Sequence, residues 1–253
     1  MDMHLRDRVV VITGGASGIG RACVEAMLAE SAKVMIVDRN TLGADWAGEL
    51  KLAGHSVEFA QADITLEEDV RRAVQKVVDC FGRLDAVIGC AGISGPVGAT
   101  APEISVDDWD RVMAVNVKGN FLLAKHTIGL LSRSDVASIV LLASDAALVA
   151  FEGMNPYCTS KGAVLMLAKS LSADHPHLRV NCLCPGIVDT PMSRADLGRP
   201  QGFDGVDLPV MPAHQVARHA VFLASSVSAP INGTSLLADF GYVARSALPM
   251  NFS

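Results

Sequence analysis

The sequence predicts one doubly wound α/β domain: a mostly seven-stranded parallel sheet with helices on both faces. Three observations predict it. Short β-branched or apolar runs alternate with longer helical patterns almost from end to end, the order that builds parallel sheets through helical crossovers. Those runs are continuously apolar instead of alternating, as in strands covered on both faces. The 253 residues, 50% hydrophobic and 19% charged, suffice for one sizeable core, and no linker, repeat or low-complexity tract divides them.

The first strand, residues 8–13, centres on Val9-Val10-Val11-Ile12. A helix over 18–30 follows, with Ile19, Ala22, Cys23 and Ala26 at i, i+3, i+4 and i+7. Strands over 33–38 and 56–60 come next. A helix over 66–81 starts after the N-cap candidate Thr65, and Glu67, Glu68 and Asp69 suit its positive end. The fourth strand, 86–89, leads to a long helix over 106–131, and the fifth, 138–143, to a helix over 155–173. The sixth, 179–183, starts a run that carries Cys182 and Cys184 on one face. Residues 191–212 are rich in Gly, Pro and Asp and read as irregular; so long a stretch inside a compact domain is usually functional, and a substrate lid is expected there. A helix over 213–224 and a strand over 235–237 complete the set.

Composition excludes several roles. The net charge of −6 argues against nucleic-acid and anionic-membrane partners. No apolar run reaches the ~18 residues of a membrane span, and the start lacks the features of a secretory signal. The 6 cysteines form no C-x-x-C pair and the 7 histidines no metal-ligand spacing. The expectation is reduced, mostly buried thiols, a cytoplasmic address and no metal.

Between the first strand and helix stands Thr13-Gly14-Gly15-Ala16-Ser17-Gly18-Ile19-Gly20. Gly14 can take a tight turn, Gly18 lets backbone approach a pyrophosphate, and Gly20 allows close helix–sheet packing. The helix start then offers N–H groups and a positive dipole end to phosphate. The second strand ends at Asp38, where a carboxylate can accept from both ribose hydroxyls of an adenosine and repel a 2′-phosphate. Arg39 beside it is the one hint of NADP; the carboxylate's repulsion of a 2′-phosphate favours NAD.

Tyr157-Cys158-Thr159-Ser160-Lys161 falls at a helix start, placing phenol and ammonium on one face. Ser144 ends an apolar strand upstream, where open parallel sheets present ligand-binding side chains. With this set the chain resembles, over nearly its whole length, the short-chain dehydrogenase/reductase family. The glycine turn, Asp63 in Ala-Asp-Ile-Thr, Asn116 in Val-Asn-Val-Lys-Gly-Asn, Ser144, Tyr157-x-x-x-Lys161 and Pro185-Gly186-Ile187-Val188-Asp189-Thr190 carry the likeness.

That resemblance implies a Rossmann-type fold and reversible hydride transfer between NAD(H) and a secondary alcohol or ketone. Tyr157 would be the general acid–base, Ser144 would hold the reacting oxygen, and Lys161 would lower the tyrosine pKa and bind the nicotinamide ribose. Asn116 would hold a relay water. Gly14, Ser17, Gly18, Ile19 and Gly20 would meet the pyrophosphate, Asp38 and Arg39 the adenosine ribose, and Asp63 and Ile64 the adenine. Ile187, Val188 and Thr190, with Pro185 and Gly186, would hold the carboxamide. One motif departs from the family: Asn-Asn-Ala-Gly reads Gly89-Cys90-Ala91-Gly92. Ala91 and Gly92 keep the small surface that packs on the ribose, and Cys90 reads as a small buried hydrophobe.

Asp145, Val97, Met154 and Met192 are the substrate-contact candidates, with Leu148 and Met211 as further apolar lining and Glu152 and Asn155 at the rim. Asp145 could also be a plain strand-end cap. The rival activities are a 3-oxoacyl-thioester reductase and a non-catalytic nucleotide-binding regulator. The resemblance further implies a homotetramer or homodimer through the helices near 106–131 and 155–173.

Overall fold

The computed structural model describes residues 2–245. Val9–Thr13 (β1) is buried throughout, which suits β-branched side chains on a strand covered from both sides. Gly18–Ala29 (α1) crosses back to Lys33–Asp38 (β2), which pairs parallel to β1 with Val9 opposite Lys33. Leu42–Leu52 (α2), Val57–Gln61 (β3) and Glu67–Phe81 (α3) extend this half. The chain then returns to the other side of β1 as Ala86–Gly89 (β4). Val106–Met113 (α4), Gly119–Leu131 (α5), Ser138–Leu142 (β5), Asn155–Asp174 (α6) and Arg179–Pro185 (β6) follow. Val188–Asp189 (β7), Pro191–Asp196 (α7), Met211–Pro212 (β8), Ala213–Ala224 (α8) and Ser235–Ala238 (β9) close the described chain.

The 7-stranded sheet has the order β3-β2-β1-β4-β5-β6-β9, parallel at every pairing. Strand order reverses between β1 and β4, opening a crevice beyond their carboxyl ends where open α/β sheets bind ligands. Alternate side chains of each strand feed two cores. Val9 and Val11 join α3, α5 and α6 on one face; Val10 and Ile12 join α1 and α8 on the other.

The predicted strands match within one or two residues, and four local differences have physical causes. Helix α2 was not predicted, because only Gly43 and Ala47 of it are buried and its apolar stripe is too thin to read. The predicted helix over 106–131 is divided by a π-helical turn at Ala114–Lys118. Thr65 does not cap α3: its hydroxyl donates to Asp63 Oδ1 at 2.7 Å. The irregular stretch is partly ordered, since Pro191–Asp196 is helical and β8 pairs with β7. Cys23, Cys182 and Cys184 are buried, Cys90 and Cys158 half-buried and Cys80 exposed.

Candidate active site

The nucleotide end is built by the turn from β1 into α1. Gly14 has φ +65, open to glycine at little cost. At Gly20 a Cβ would lie 2.1 Å from the Gly14 carbonyl oxygen, so only glycine lets the first turn of α1 sit on the loop. Ser17 precedes the helix without a side-chain cap, and no acidic residue occupies the first turn. The N–H groups of Gly18, Ile19 and Gly20 thus face an anion site at the positive end of the helix.

A cavity of about 250 Å³ beside this turn is lined by Gly14, Ser17, Asp38 and Arg39 on one wall and by Asp63, Ile64, Ala91 and Gly92 on the other. Asp38 Oδ2 accepts the Ala16 N–H at 3.0 Å and Oδ1 the Asn40 N–H at 2.9 Å. The carboxylate is thereby held rigidly while each oxygen keeps lone-pair capacity. Arg39 is exposed. Asp63 Oδ1 also accepts the Thr65 N–H at 2.9 Å, and Ile64 is packed beneath Gly119. These residues fit a dinucleotide: an uncapped helix start for phosphate, a fixed carboxylate for a ribose diol and a small-residue floor.

The chemical end is a second cavity, about 260 Å³, that shares Gly92 with the first. Ser144 enters it from the end of β5, and Tyr157 and Lys161 from the first turns of α6. Lys161 Nζ donates to the Leu142 carbonyl at 2.7 Å and lies 5.4 Å from the Tyr157 ring centroid. Burial pulls the Lys161 ammonium down to about 8. Burial also pushes the Tyr157 phenol up to about 12, with the Ser144 hydroxyl opposing and the Asp145 and Asp196 carboxylates adding to the rise. The resemblance implies that Lys161 lowers this pKa. In the arrangement found, desolvation dominates and the phenol holds its proton.

Asn116 is placed by the π-helical turn. Its Oδ1 accepts the Ile93 N–H, and its Nδ2 donates to the Ile93 carbonyl and to Ser160 Oγ, each at 2.9 Å. Its carbonyl accepts from Asn120 Nδ2 at 2.7 Å. The Asn116 side chain therefore braces the loop after β4 against α6.

Pro185, Gly186, Ile187, Val188 and Thr190 form the wall facing α6, and Thr190 caps α7 by accepting from the Ser193 N–H. All four substrate-contact candidates, Val97, Asp145, Met154 and Met192, line this cavity. Leu148 does not and is exposed, and Met211 is buried under α8 instead. Sequence reasoning missed Phe151, Asp196 and Leu197 in the lining. The last two lie where a helix was not foreseen; Phe151, an aromatic just ahead of the Tyr157 helix, was a usable signal.

The departure at Gly89-Cys90 has a structural counterpart. A Cβ at residue 89 would lie 2.3 Å from Asn120 Oδ1, so the amide of Asn120 occupies space that an asparagine at 89 would need. That Oδ1 is buried without a partner among the described residues. Cys90 lies against the core beside Cys23, whose thiol, together with burial, holds the Cys90 thiol well above its usual value.

Comparison with known proteins agrees with this geometry. A family model described as short chain dehydrogenase matches residues 8–199. The chain is 36% identical over 250 residues to the 2-(R)-hydroxypropyl-CoM dehydrogenase of Xanthobacter autotrophicus, spanning 94% of this chain and 99% of that protein. The ligand-free aldohexose dehydrogenase of Thermoplasma acidophilum superposes with a TM-score of 0.88 at 28% identity, covering 99% of each chain. A 3-ketoacyl-(acyl-carrier-protein) reductase from Brucella melitensis, solved with NADH, superposes with a TM-score of 0.86 at 29% identity over 94% of this chain and 99% of that one. The chain belongs to the short-chain dehydrogenase family and is an NAD(P)(H)-dependent oxidoreductase acting on alcohol groups.

Proposed function

We propose that this enzyme exchanges a hydride between NAD(H) and an uncharged secondary alcohol or ketone, with Tyr157 as general acid–base. One observation carries the reading: Ser144, Tyr157 and Lys161 converge with the 185–190 segment on a single cavity adjoining the nucleotide crevice. Bound NAD(H) would supply the carbon that takes or gives the hydride. The first-turn N–H groups of α1 hold its phosphates, Asp38 its adenosine ribose, and Asp63 and Ile64 border its adenine. Ser144 holds the reacting oxygen, and Tyr157 Oη gives that oxygen a proton in reduction or removes one in oxidation. Lys161 Nζ binds the nicotinamide-ribose hydroxyls and, through the Asn116 carbonyl and water, connects Tyr157 to solvent.

Two rivals share part of this machinery. A 3-oxoacyl-thioester reductase wants a basic surface for an acidic carrier, and the net charge of −6 weighs against one. A non-catalytic nucleotide-binding protein has no use for Ser144, Tyr157 and Lys161 in one cavity. The deciding experiment is a panel of cyclic diols, sugars, hydroxysteroids, aryl ketones and acetoacetyl thioesters followed by NADH absorbance. Turnover of an uncharged alcohol or ketone is expected; exclusive turnover of the thioester, or of nothing, overturns the reading.

Residues 191–212 act as a lid. Helix α7 is held by the Thr190–Ser193 capping box, by Arg194 Nε and Nη2 on Asp189 at 2.6 and 2.9 Å, and by Ser94 Oγ on Asp196 at 2.8 Å. Beyond α7 the segment is tied back by the Arg199 N–H on the Arg194 carbonyl at 2.7 Å and by the buried Phe203, with no side-chain hydrogen bond before β8 among the described residues, and it is expected to order over bound ligands. Hydrogen exchange of 197–210 should slow when NADH and substrate are both present; equal protection with and without them would refute the lid.

A homodimer or homotetramer forms through α4, α5 and α6. Phe121 on α5 and Met166 on α6 are 47% and 58% exposed and would be covered in that interface. Light scattering is expected to give at least twice the chain mass, and a monomer would refute the interface. A cytoplasmic setting completes the reading, since the 6 cysteines are free thiols.

A further inference from the structure

Asp145 lines the chemical cavity beside Ser144 and itself neither gives nor takes the transferred proton. Its side chain is buried, with the residue only 6% exposed, beside Ser144 in the wall of the chemical cavity. Oδ1 accepts the Ser144 hydroxyl and the Ala146 N–H, both at 2.8 Å. Oδ2 has no hydrogen-bond partner among the described residues. It faces Gly186, where a Cβ would come within 3.5 Å of it.

Among the described residues no cation pairs with this oxygen. Asp239, the nearby charge across Gly186, has the same sign and spends its carboxylate on the N–H groups of Gly241 and Val243. Asp196, on α7 in the same lining, accepts from Ser94. Lys161 directs its ammonium to the Leu142 carbonyl. Burial accordingly holds the Asp145 and Asp196 carboxyls above the usual aspartate range. Oδ2 thus keeps an open acceptor that a ligand donor can fill, and a hydrogen bond to a charged acceptor is stronger than one between neutral groups. Val97, Phe151, Met154 and Met192 make much of the surrounding wall apolar, and the Ser144 and Lys161 donors are directed elsewhere, to Asp145 Oδ1 and the Leu142 carbonyl.

We propose that Asp145 Oδ2 is a specificity subsite for a second hydroxyl of the substrate, on the carbon next to the reacting carbinol. The preferred substrate class is then a vicinal diol, or the matching hydroxyketone, on an otherwise apolar frame. This rests on the reading of Ser144 as the group that holds the reacting oxygen. The geometry supports adjacency: Ser144 Oγ and Asp145 Oδ1 are 2.8 Å apart, and neighbouring hydroxyls of a diol are separated by about one hydrogen-bond length. An oxygen seated on Ser144 thus leaves its neighbour within reach of the carboxylate.

The test compares kcat/KM for cis- and trans-1,2-cyclohexanediol with that for cyclohexanol, using NAD, in the wild type and in Asp145→Leu and Asp145→Asn. The diol-to-monoalcohol ratio cancels any general loss that follows from releasing the Ser144 hydroxyl. The wild type is expected to favour one diol at least tenfold. Asp145→Leu should bring the ratio to about one, and Asp145→Asn, which keeps the side-chain shape if Leu fails to fold, should lower it at least threefold. A wild-type ratio near one, or a ratio retained in the variants, overturns the subsite while leaving hydride transfer intact. Preference for 2-aminocyclohexanol over the diol overturns the hydroxyl assignment. Turnover of no alcohol or ketone, cyclohexanol and the wider panel included, overturns the underlying reading and the subsite with it.

Discussion

Replacing Tyr157 by Phe is expected to lower kcat by about 10²–10⁴, the usual worth of a positioned general acid–base. The ring stays and only the hydroxyl is lost, so packing at the start of α6 and NADH affinity should change little. Phe retaining near-full turnover would overturn the mechanism. The same group sets a pH asymmetry. Burial pushes the phenol up to about 12, so through the neutral range it is a proton donor ready for reduction. Oxidation instead needs the phenolate, a minor form until the pH rises. Oxidation kcat/KM should therefore climb between about pH 6 and 9 while reduction stays nearly level. Flat oxidation over that range would show that another group takes the alcohol proton. Lys161, held near 8 by burial, gains charge as pH falls, so its cationic help to the phenolate is strongest at the acid end and cannot produce the rise.

The second large effect is cofactor choice. Asp38 offers a carboxylate fixed by the Ala16 and Asn40 N–H groups at 3.0 and 2.9 Å. Charge-assisted hydrogen bonds to a ribose diol are worth about 1.5–3 kcal/mol. A 2′-phosphate would meet the same carboxylate as a repulsive neighbour. Arg39 is exposed, and ordering such a side chain in an exposed ion pair contributes only about 0–1 kcal/mol. NAD(H) should be preferred by about tenfold or more, each factor of ten being about 1.4 kcal/mol. Asp38→Ala should shrink or invert the preference. Because that variant also frees the Ala16 N–H and loosens the glycine turn, the informative quantity is the ratio of kcat/KM with the two cofactors on one substrate. Equal or better efficiency with NADP(H) in the wild type would show that Arg39 governs the site.

What was legible in the sequence follows from the range of the forces involved. Continuous apolar strands such as Val9-Val10-Val11-Ile12 announce two-sided burial. The strand–glycine turn–helix order announces a phosphate site, because steric demand at Gly14 and Gly20 is local to the turn. The Tyr157–Lys161 spacing likewise depends only on one helix. Helix α2 escaped because it buries little, and the π-helical turn escaped because its bonding depends on where Asn116 finds partners. Leu148 and Met211 illustrate the limit for pocket lining: apolar character says that a residue will be covered, not by what.

The sequence by itself determined the parallel α/β domain, the glycine turn between β1 and α1 and the placement of Tyr157 and Lys161 on one helix, since each is encoded in residue type and short-range spacing. Only the tertiary structure decided three things. It set the direction of the Tyr157 pKa, because desolvation by surrounding elements outweighs the opposing hydrogen bond with the Ser144 hydroxyl. It matched Gly89 to Asn120, an approach between β4 and α5 that no local pattern records. And it turned Asp145 from a plausible turn cap into a buried carboxylate whose Oδ1 holds the Ser144 hydroxyl and the Ala146 N–H while Oδ2 lies against Gly186, since burial and partnership are properties of the packed wall around a residue and not of the residue itself.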